Sequence, residues 1–266
     1  VTAALRPLIT LLSDFGTRDA YVASMKGVML SLNPAAELVD ITHEVPPQDI
    51  RAGAFILAEA AAWFPPGTIH LAVVDPGVGS ARRALAAACR GHFWVGPDNG
   101  LFHFAFAQAP ACEIVSLENS AFFRPQVSAT FHGRDIFAPV AAHLSLGVDL
   151  HCLGPKIVDP VLLDFPVPEY SSEVVRGEII HVDGFGNLIS NVRASDLTSW
   201  LGGRSVSLQA GTLSLQGLAH SYADAASGEF LALGDSLGLV EIACVRDNAA
   251  RRLNAGVGLP VKIRKA

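Results

Sequence analysis

Short β-rich apolar runs alternate with helical stretches over residues 8–74, and this alternation limits the fold more than any other feature of the chain. Leu8-Ile9-Thr10-Leu11-Leu12 reads as a buried strand delivering a polar loop, Ser13-Asp14-Phe15-Gly16. A helix is expected over about 20–32, ending before Asn33-Pro34 because the residue preceding a proline resists helical backbone. Residues 38–41 then read as a strand, the Ala-rich 51–63 as a helix and 69–74 as a third strand. This β-α-β-α-β order predicts an α/β fold with a mostly parallel sheet covered by helices, where ligands bind beyond the carboxyl ends of the strands. Asp14 and Asp75 both sit at such ends.

Further on, 84–88 and 93–95 read as strands leading into Gly96-Pro97-Asp98-Asn99-Gly100, and 136–146 as a helix. Prolines 155, 160, 166 and 168 punctuate a stretch without helical periodicity, the composition of a linker. The expected division is an N-terminal α/β domain, 1–165, and a smaller C-terminal all-β domain, 172–266. In the latter, the runs 173–182, 205–208, 212–215, 229–233 and 240–245 are short and separated by glycine turns, which predicts a small barrel or sandwich.

Composition narrows the function classes. The 25 acids against 19 bases give a net charge of -6, so there is no electrostatic footprint for grasping nucleic acid. Every apolar run is interrupted before the ~20 residues a spanning helix needs, and the first meets Asp14 too soon for a signal peptide. Neither membrane nor nucleic acid is an expected partner. Cys89, Cys112, Cys152 and Cys244 show no CxxC pair, so neither a zinc knuckle nor a disulfide framework is expected, and a reducing cytoplasm is the simplest home. A start at Val1 in place of methionine reads as a trimmed or partial sequence.

Six motifs carry chemistry-bearing residues. Asp14 has the placement to accept two hydrogen bonds from a vicinal diol such as a ribose, or simply to cap the following helix. In Val74-Asp75-Pro76-Gly77-Val78-Gly79-Ser80-Ala81-Arg82-Arg83 a strand ends in an acid, a turn and a base, so Asp75 and Arg82 are placed to pair across the turn; the spacing is not that of a Walker loop. His132 precedes Gly133-Arg134-Asp135 at a helix start, as a catalytic imidazole or as a structural hydrogen-bonder, with Arg134 and Asp135 as a local ion pair. Asp183-Gly184-Phe185-Gly186-Asn187 has turn chemistry; as a binding loop, Phe185 would stack on a flat ring and Asn187 would read its hydrogen-bonding edge. Gly234-Asp235-Ser236 and Asp247-Asn248-Ala249-Ala250 are turns of the same kind.

Taken together and in order, Ser-Asp-Phe-Gly at 13–16, Val-Asp-Pro-Gly-Val-Gly-Ser at 74–80, Gly-Pro-Asp-Asn-Gly at 96–100, Phe-His-Gly-Arg-Asp at 131–135 and Asp-Gly-Phe-Gly-Asn at 183–187 resemble one family. The chain is similar to the S-adenosyl-L-methionine hydroxide adenosyltransferases, hydrolytic relatives of the fluorinase and chlorinase. The resemblance implies a homotrimer holding substrate between domains of neighbouring subunits, and a catalytic Asp, Arg and His that fall on Asp75, Arg82 and His132. It further implies Asp14 on the ribose hydroxyls, Asp19 and Asp183 near the methionine amine, and Phe185 and Asn187 at adenine. Ser236 resembles the methionine carboxylate contact and Ala249 a backbone contact to adenine, while Tyr21 stands where the halogenases carry a small hydroxyl residue. Val245-Arg246-Asp247-Asn248 departs from the family's Asn-Arg-Gly-Asn.

The implied reaction is attack of water on C5′ of S-adenosyl-L-methionine, giving adenosine and L-methionine. No resident cofactor or metal is expected, since the histidines show no HExxH or similar spacing. Two other readings stand beside it: a metal-dependent phosphoester hydrolase built on Asp14, Asp75, Asp98, His103 and His132, and a non-catalytic sensor of S-adenosyl-L-methionine or adenosine.

Overall fold

The structure, a computed structural model, describes residues 6–107 and 111–266. It divides between Leu163 and Asp164 into two compact units. In the first unit the elements run β1 (Leu8–Ser13), α1 (Tyr21–Leu32), β2 (Glu37–Thr42), α2 (Ile50–Ala61), β3 (Ile69–Val73), β4 (Ala84–Cys89), β5 (His92–Pro97), α3 (His103–Phe106), β6 (Cys112–Ser116) and α4 (Ala138–Ser145). Their sheet has the order β2-β1-β3-β5-β4-β6. The ladders β1/β2, β1/β3 and β3/β5 are parallel, whereas β4 runs antiparallel to both β5 and β6. The sheet is therefore mixed. The local reason is the two-residue link Arg90-Gly91, both at positive φ (55° and 80°), which makes a tight hairpin and leaves no room for a crossover.

Alternate residues of the central strands feed two cores, as the pleat dictates. Ile9, Leu11, Ile69, Leu71 and Val73 pack with Met25, Met29 and Phe137 under α1 and α4. Leu12, Ala72, Val74, Leu85 and Ala87 pack with Leu57 and Phe102 under α2 and α3. Each fully buried large apolar side chain contributes roughly 1.5–3 kcal/mol. Among these strands His70 is fully buried, its Nδ1 bonded to Thr10 Oγ1 at 2.7 Å and its ring 4.6 Å from that of Trp94.

Two expectations need correction. Cys89 and Cys112 face each other across β4 and β6 with Cα atoms 4.6 Å apart and form a disulfide, so the scattered cysteines are not all free and do not argue for a reducing compartment. Their separation of 23 residues has no signature of its own; only the strand register brings them together. The helix expected over 136–146 begins earlier, as a π-helical turn at Gly133–Phe137 that continues into α4. Among the described residues no helix is long and apolar enough to cross a membrane.

The second unit contains β7 (Glu169–Tyr170), β8 (Val174–Val182), β9 (Leu188–Arg193), α5 (Ala194–Leu201), β10 (Val206–Ala210), β11 (Leu213–Gln216), β12 (Phe230–Gly234), β13 (Leu239–Cys244), α6 (Ala249–Leu253) and β14 (Pro260–Lys265). Its strands pair antiparallel in the order β11-β10-β14-β8-β9-β13-β12, with β7 beside β8, a barrel-like sheet around Val175, Ile179, Leu188, Leu208, Ile242 and Ile263.

Candidate active site

Just past the end of β3, Asp75 begins a turn closed by Val78 N–H donating to Asp75 O at 3.2 Å and Ser80 N–H donating to Gly77 O at 3.1 Å. Gly79 is required here: its φ is +75°, and a Cβ would lie 2.3 Å from the carbonyl oxygen of Ala129. That close approach lays the loop carrying Arg82 against the loop carrying His132. Asn99 braces the same strand end by donating to Val74 O at 2.8 Å.

The result is one continuous hydrogen-bonded chain. Arg82 Nε donates to Asp75 Oδ1 at 2.9 Å, Nη2 donates to Asp75 Oδ2, and Nη2 also reaches His132 Nδ1 at 2.9 Å. The side chains of Asp75 and Arg82 are only 4% and 11% exposed, so the pair is shielded from bulk water. The guanidinium further lies over the Phe137 ring at 5.2 Å.

Burial, and next the positive charge of Arg82, hold the His132 pKa below the ordinary imidazole value. Since guanidinium only donates, Nδ1 of neutral His132 must accept, which leaves the ring proton on Nε2. The triad therefore presents one carboxylate acceptor, one fixed cation and one imidazole donor. Asp135, fully buried, is held by Arg134 Nε at 2.7 Å and accepts from Ser128 N–H at 2.9 Å. The Arg134–Asp135 pair is thus no mere surface ion pair; it shapes the loop that delivers His132.

Asp14 does not cap α1, whose first turn follows Ala20 without a side-chain cap. Its Oδ2 accepts from Gln48 N–H at 2.8 Å and it is part-exposed. Asp19 is exposed, and Tyr21 is 49% exposed at the start of α1. The rings of Phe15, Tyr21 and Phe131 meet at 5.2–5.8 Å, tying the Asp14 loop to the His132 loop. Asp98 does not join the triad; it pairs with Arg83 at 2.7 Å and accepts from Val161 N–H. Among the described residues no three or more His, Cys, Asp or Glu side chains are grouped to hold a metal.

In the second unit, the loop between β8 and β9 borders a cavity of about 990 Å³. Phe185, 82% exposed, and Asn187 line it with Tyr222, Val245 and Arg246. Asp183 is hydrogen-bonded within the loop: Oδ1 accepts from Phe185 and Asn187 N–H groups and Oδ2 from Asn187 Nδ2, at 2.8–3.0 Å. Gly186, at φ +86°, packs on the Asn248 side chain where a Cβ would overlap it. Ala249 is buried behind this contact, and Ser236 is exposed in the β12–β13 turn. Of the C-terminal residues singled out from sequence, Phe185 and Asn187 border the cavity; Asp183, Ser236 and Ala249 do not.

Sequence reading missed Tyr222. Its hydroxyl donates to the buried Glu241 carboxylate at 2.7 Å, which leaves its ring for the cavity. Burial first, and then the Glu241 hydrogen bond and charge, raise its pKa beyond the ordinary phenol range. A buried acid in β13 opposite a turn tyrosine has no linear signal, because the two are joined only by the fold.

The S-adenosyl-L-methionine hydroxide adenosyltransferase N-terminal domain matches residues 9–154 and the corresponding C-terminal domain residues 177–262, and the chain belongs to that family. It is 41% identical over 255 residues to an (R)-S-adenosyl-L-methionine hydrolase of Salinispora tropica, covering 95% of each chain. It is 39% identical to a protein of the same name from Thermus thermophilus, covering 97% of this chain and 100% of that one. A fluorinase of Actinoplanes is more distant, at 29% identity over 72% of this chain and 73% of the other. A conserved Thermotoga maritima protein superposes with a TM-score of 0.91 at 35% identity, over 97% of this chain and 100% of that one.

Proposed function

We propose that the protein hydrolyses S-adenosyl-L-methionine: water attacks C5′, the bond from C5′ to sulfur breaks, and adenosine, L-methionine and one proton leave. The observation that carries this reading is the unbroken chain from Asp75 through Arg82 to His132. The leaving group departs as a neutral thioether and needs no acid, so the site's task is to activate and aim an oxygen. Free water, with a pKa of about 15.7, is a poor nucleophile at neutral pH. Asp75 takes the proton of the attacking water, Arg82 stabilises the developing hydroxide, and His132 aims the oxygen by donating from Nε2. The names of the relatives support the substrate, and the presence of all three residues favours water over halide.

In this reading Asp14 holds the ribose hydroxyls, with Asp19 and Tyr21 nearby. Phe185 stacks on adenine beside Asn187, and Tyr222 adds a second ring. Asp183 shapes their loop, Ser236 meets the methionine carboxylate, and Ala249 backs the adenine pocket. The residues fall on two units, and a homotrimer in which neighbouring subunits share each substrate is the assembly the family resemblance implies. No resident cofactor takes part.

Incubating the purified protein with S-adenosyl-L-methionine tests this directly. Adenosine and methionine are expected in equal amounts, with turnover surviving EDTA. Binding without products would make the protein a sensor, and loss of turnover in EDTA would return the metal-dependent reading.

A further inference from the structure

A second constellation of titratable groups lies beside Asp14, outside the triad. Ser13 Oγ lies 2.7 Å from His43 Nδ1, His43 Nε2 lies 3.0 Å from Asp40 Oδ1, and Lys26 Nζ closes on Asp40 Oδ2 at 2.5 Å. Serine, histidine and aspartate in contact suggest a nucleophile triad, but two features exclude one. Ser13 is 1% exposed, and the ring is reversed, with the serine on Nδ1 and the acid on Nε2.

Burial works against the Asp40 charge, but the hydrogen bonds and charges of Lys26 and His43 outweigh it and hold its carboxyl below the usual range. An ionised carboxylate only accepts, so His43 donates to it from Nε2. With the ring proton on Nε2 alone, Nδ1 accepts from Ser13 O–H, whose oxygen in turn accepts from Phe15 N–H, 3.4 Å away.

The relay ends on the residue before Asp14. Three backbone-level contacts join the same two loops: Gly16 N–H to His43 O at 2.7 Å, Val45 N–H to Ser13 O at 3.4 Å, and Gln48 N–H to Asp14 Oδ2 at 2.8 Å. Gln48 makes its contact from a left-handed backbone, φ +65°, which costs a non-glycine residue and persists only where surroundings enforce it.

We propose that His43, oriented by Asp40 and Lys26, is a positioning residue for Asp14: by fixing Ser13 it locks the loop that aims the Asp14 carboxylate at the substrate ribose. This rests on the reading of Asp14 as the ribose contact. Small misplacements of a binding group are costly, so loss of the relay weakens substrate use by about tenfold.

The test combines one spectroscopic and one kinetic measurement. In the intact wild-type protein, ¹⁵N NMR should show His43 as the Nε2–H tautomer with Nδ1 unprotonated; an Nδ1–H tautomer overturns the relay, and no variant is needed to learn this. For kinetics, His43→Gln keeps a donor towards Asp40 but loses Ser13, while His43→Asn keeps an acceptor for Ser13. His43→Gln and Ser13→Ala should each raise KM for S-adenosyl-L-methionine about tenfold with kcat moving less, and His43→Asn should recover most of it. In an Asp14→Ala background the His43→Gln effect should vanish. If it persists there in full, His43 acts elsewhere and the inference is overturned while the Asp14 reading stands. If Asp14→Ala itself handles the substrate as wild type does, the ribose reading falls and the inference with it.

Discussion

Asp75→Asn perturbs the site at its most shielded charge. The substitution removes the counter-charge of Arg82, whose side chain is 11% exposed and which gives Asp75 two donors, while keeping one carbonyl oxygen in place. Leaving one partner of a buried pair uncompensated costs roughly 3–5 kcal/mol, and the retained acceptor puts Asp75→Asn near 3. For a unit of this size each kcal/mol lowers Tm by about 2–4 °C, so a drop of roughly 6–12 °C is expected. Adding Arg82→Gln removes the orphaned charge, so the double variant should be more stable than Asp75→Asn alone. Activity should not follow stability. Without the proton acceptor, kcat falls by about 10²–10⁴ in both variants, and KM for S-adenosyl-L-methionine changes far less. Thermal unfolding and steady-state kinetics on the same samples separate the two effects. Additive destabilisation in the double variant, or wild-type kcat in Asp75→Asn, would refute the reasoning.

Gly79→Ala must push the 75–82 loop away from Ala129, costing about 1–3 kcal/mol and lowering kcat by separating Arg82 from His132; a silent substitution would remove the role given to this contact. Burial first, and then the charge of His92, lower the His70 pKa from 6.5 to about 3. The unfolded chain binds this proton more readily, so stability is fully present above pH ~6.5 and falls with pH towards ~3 at about 1.4 kcal/mol per unit. Denaturant titrations across that range should show the slope reduced by one proton in His70→Gln. Cys112→Ser should cost ~2–4 kcal/mol and abolish the gain of two hydrogens on reduction seen in the intact mass; a wild-type mass unchanged by reductant contradicts the disulfide.

The first unit was largely legible because its central strands are buried on both faces and read as short, mostly apolar runs, while Asn33-Pro34 marks where α1 must stop. The direction of β4 was not, since it depends on the conformation of Arg90-Gly91. In the second unit β7, β9, α5, α6 and β14 have no counterpart among the expected runs. Leu188–Arg193 runs straight into Ala194–Leu201 without a glycine or proline to separate strand from helix. At the site, the turn through Gly77 and Gly79 announced that Asp75 and Arg82 meet, but nothing linear announced that Arg82 would also reach His132, 50 residues on. The carboxylate of Asp183 accepts hydrogen bonds from its own loop, a structural use that sequence motifs do not distinguish from binding.

The central claim is that an oxygen from water ends on C5′. Incubation with S-adenosyl-L-methionine in ¹⁸O-water, with and without chloride, followed by mass spectrometry of the nucleoside, tests it most directly. The account predicts adenosine labelled at the 5′ oxygen in both samples. Unlabelled adenosine, or 5′-chloroadenosine when chloride is present, would contradict it.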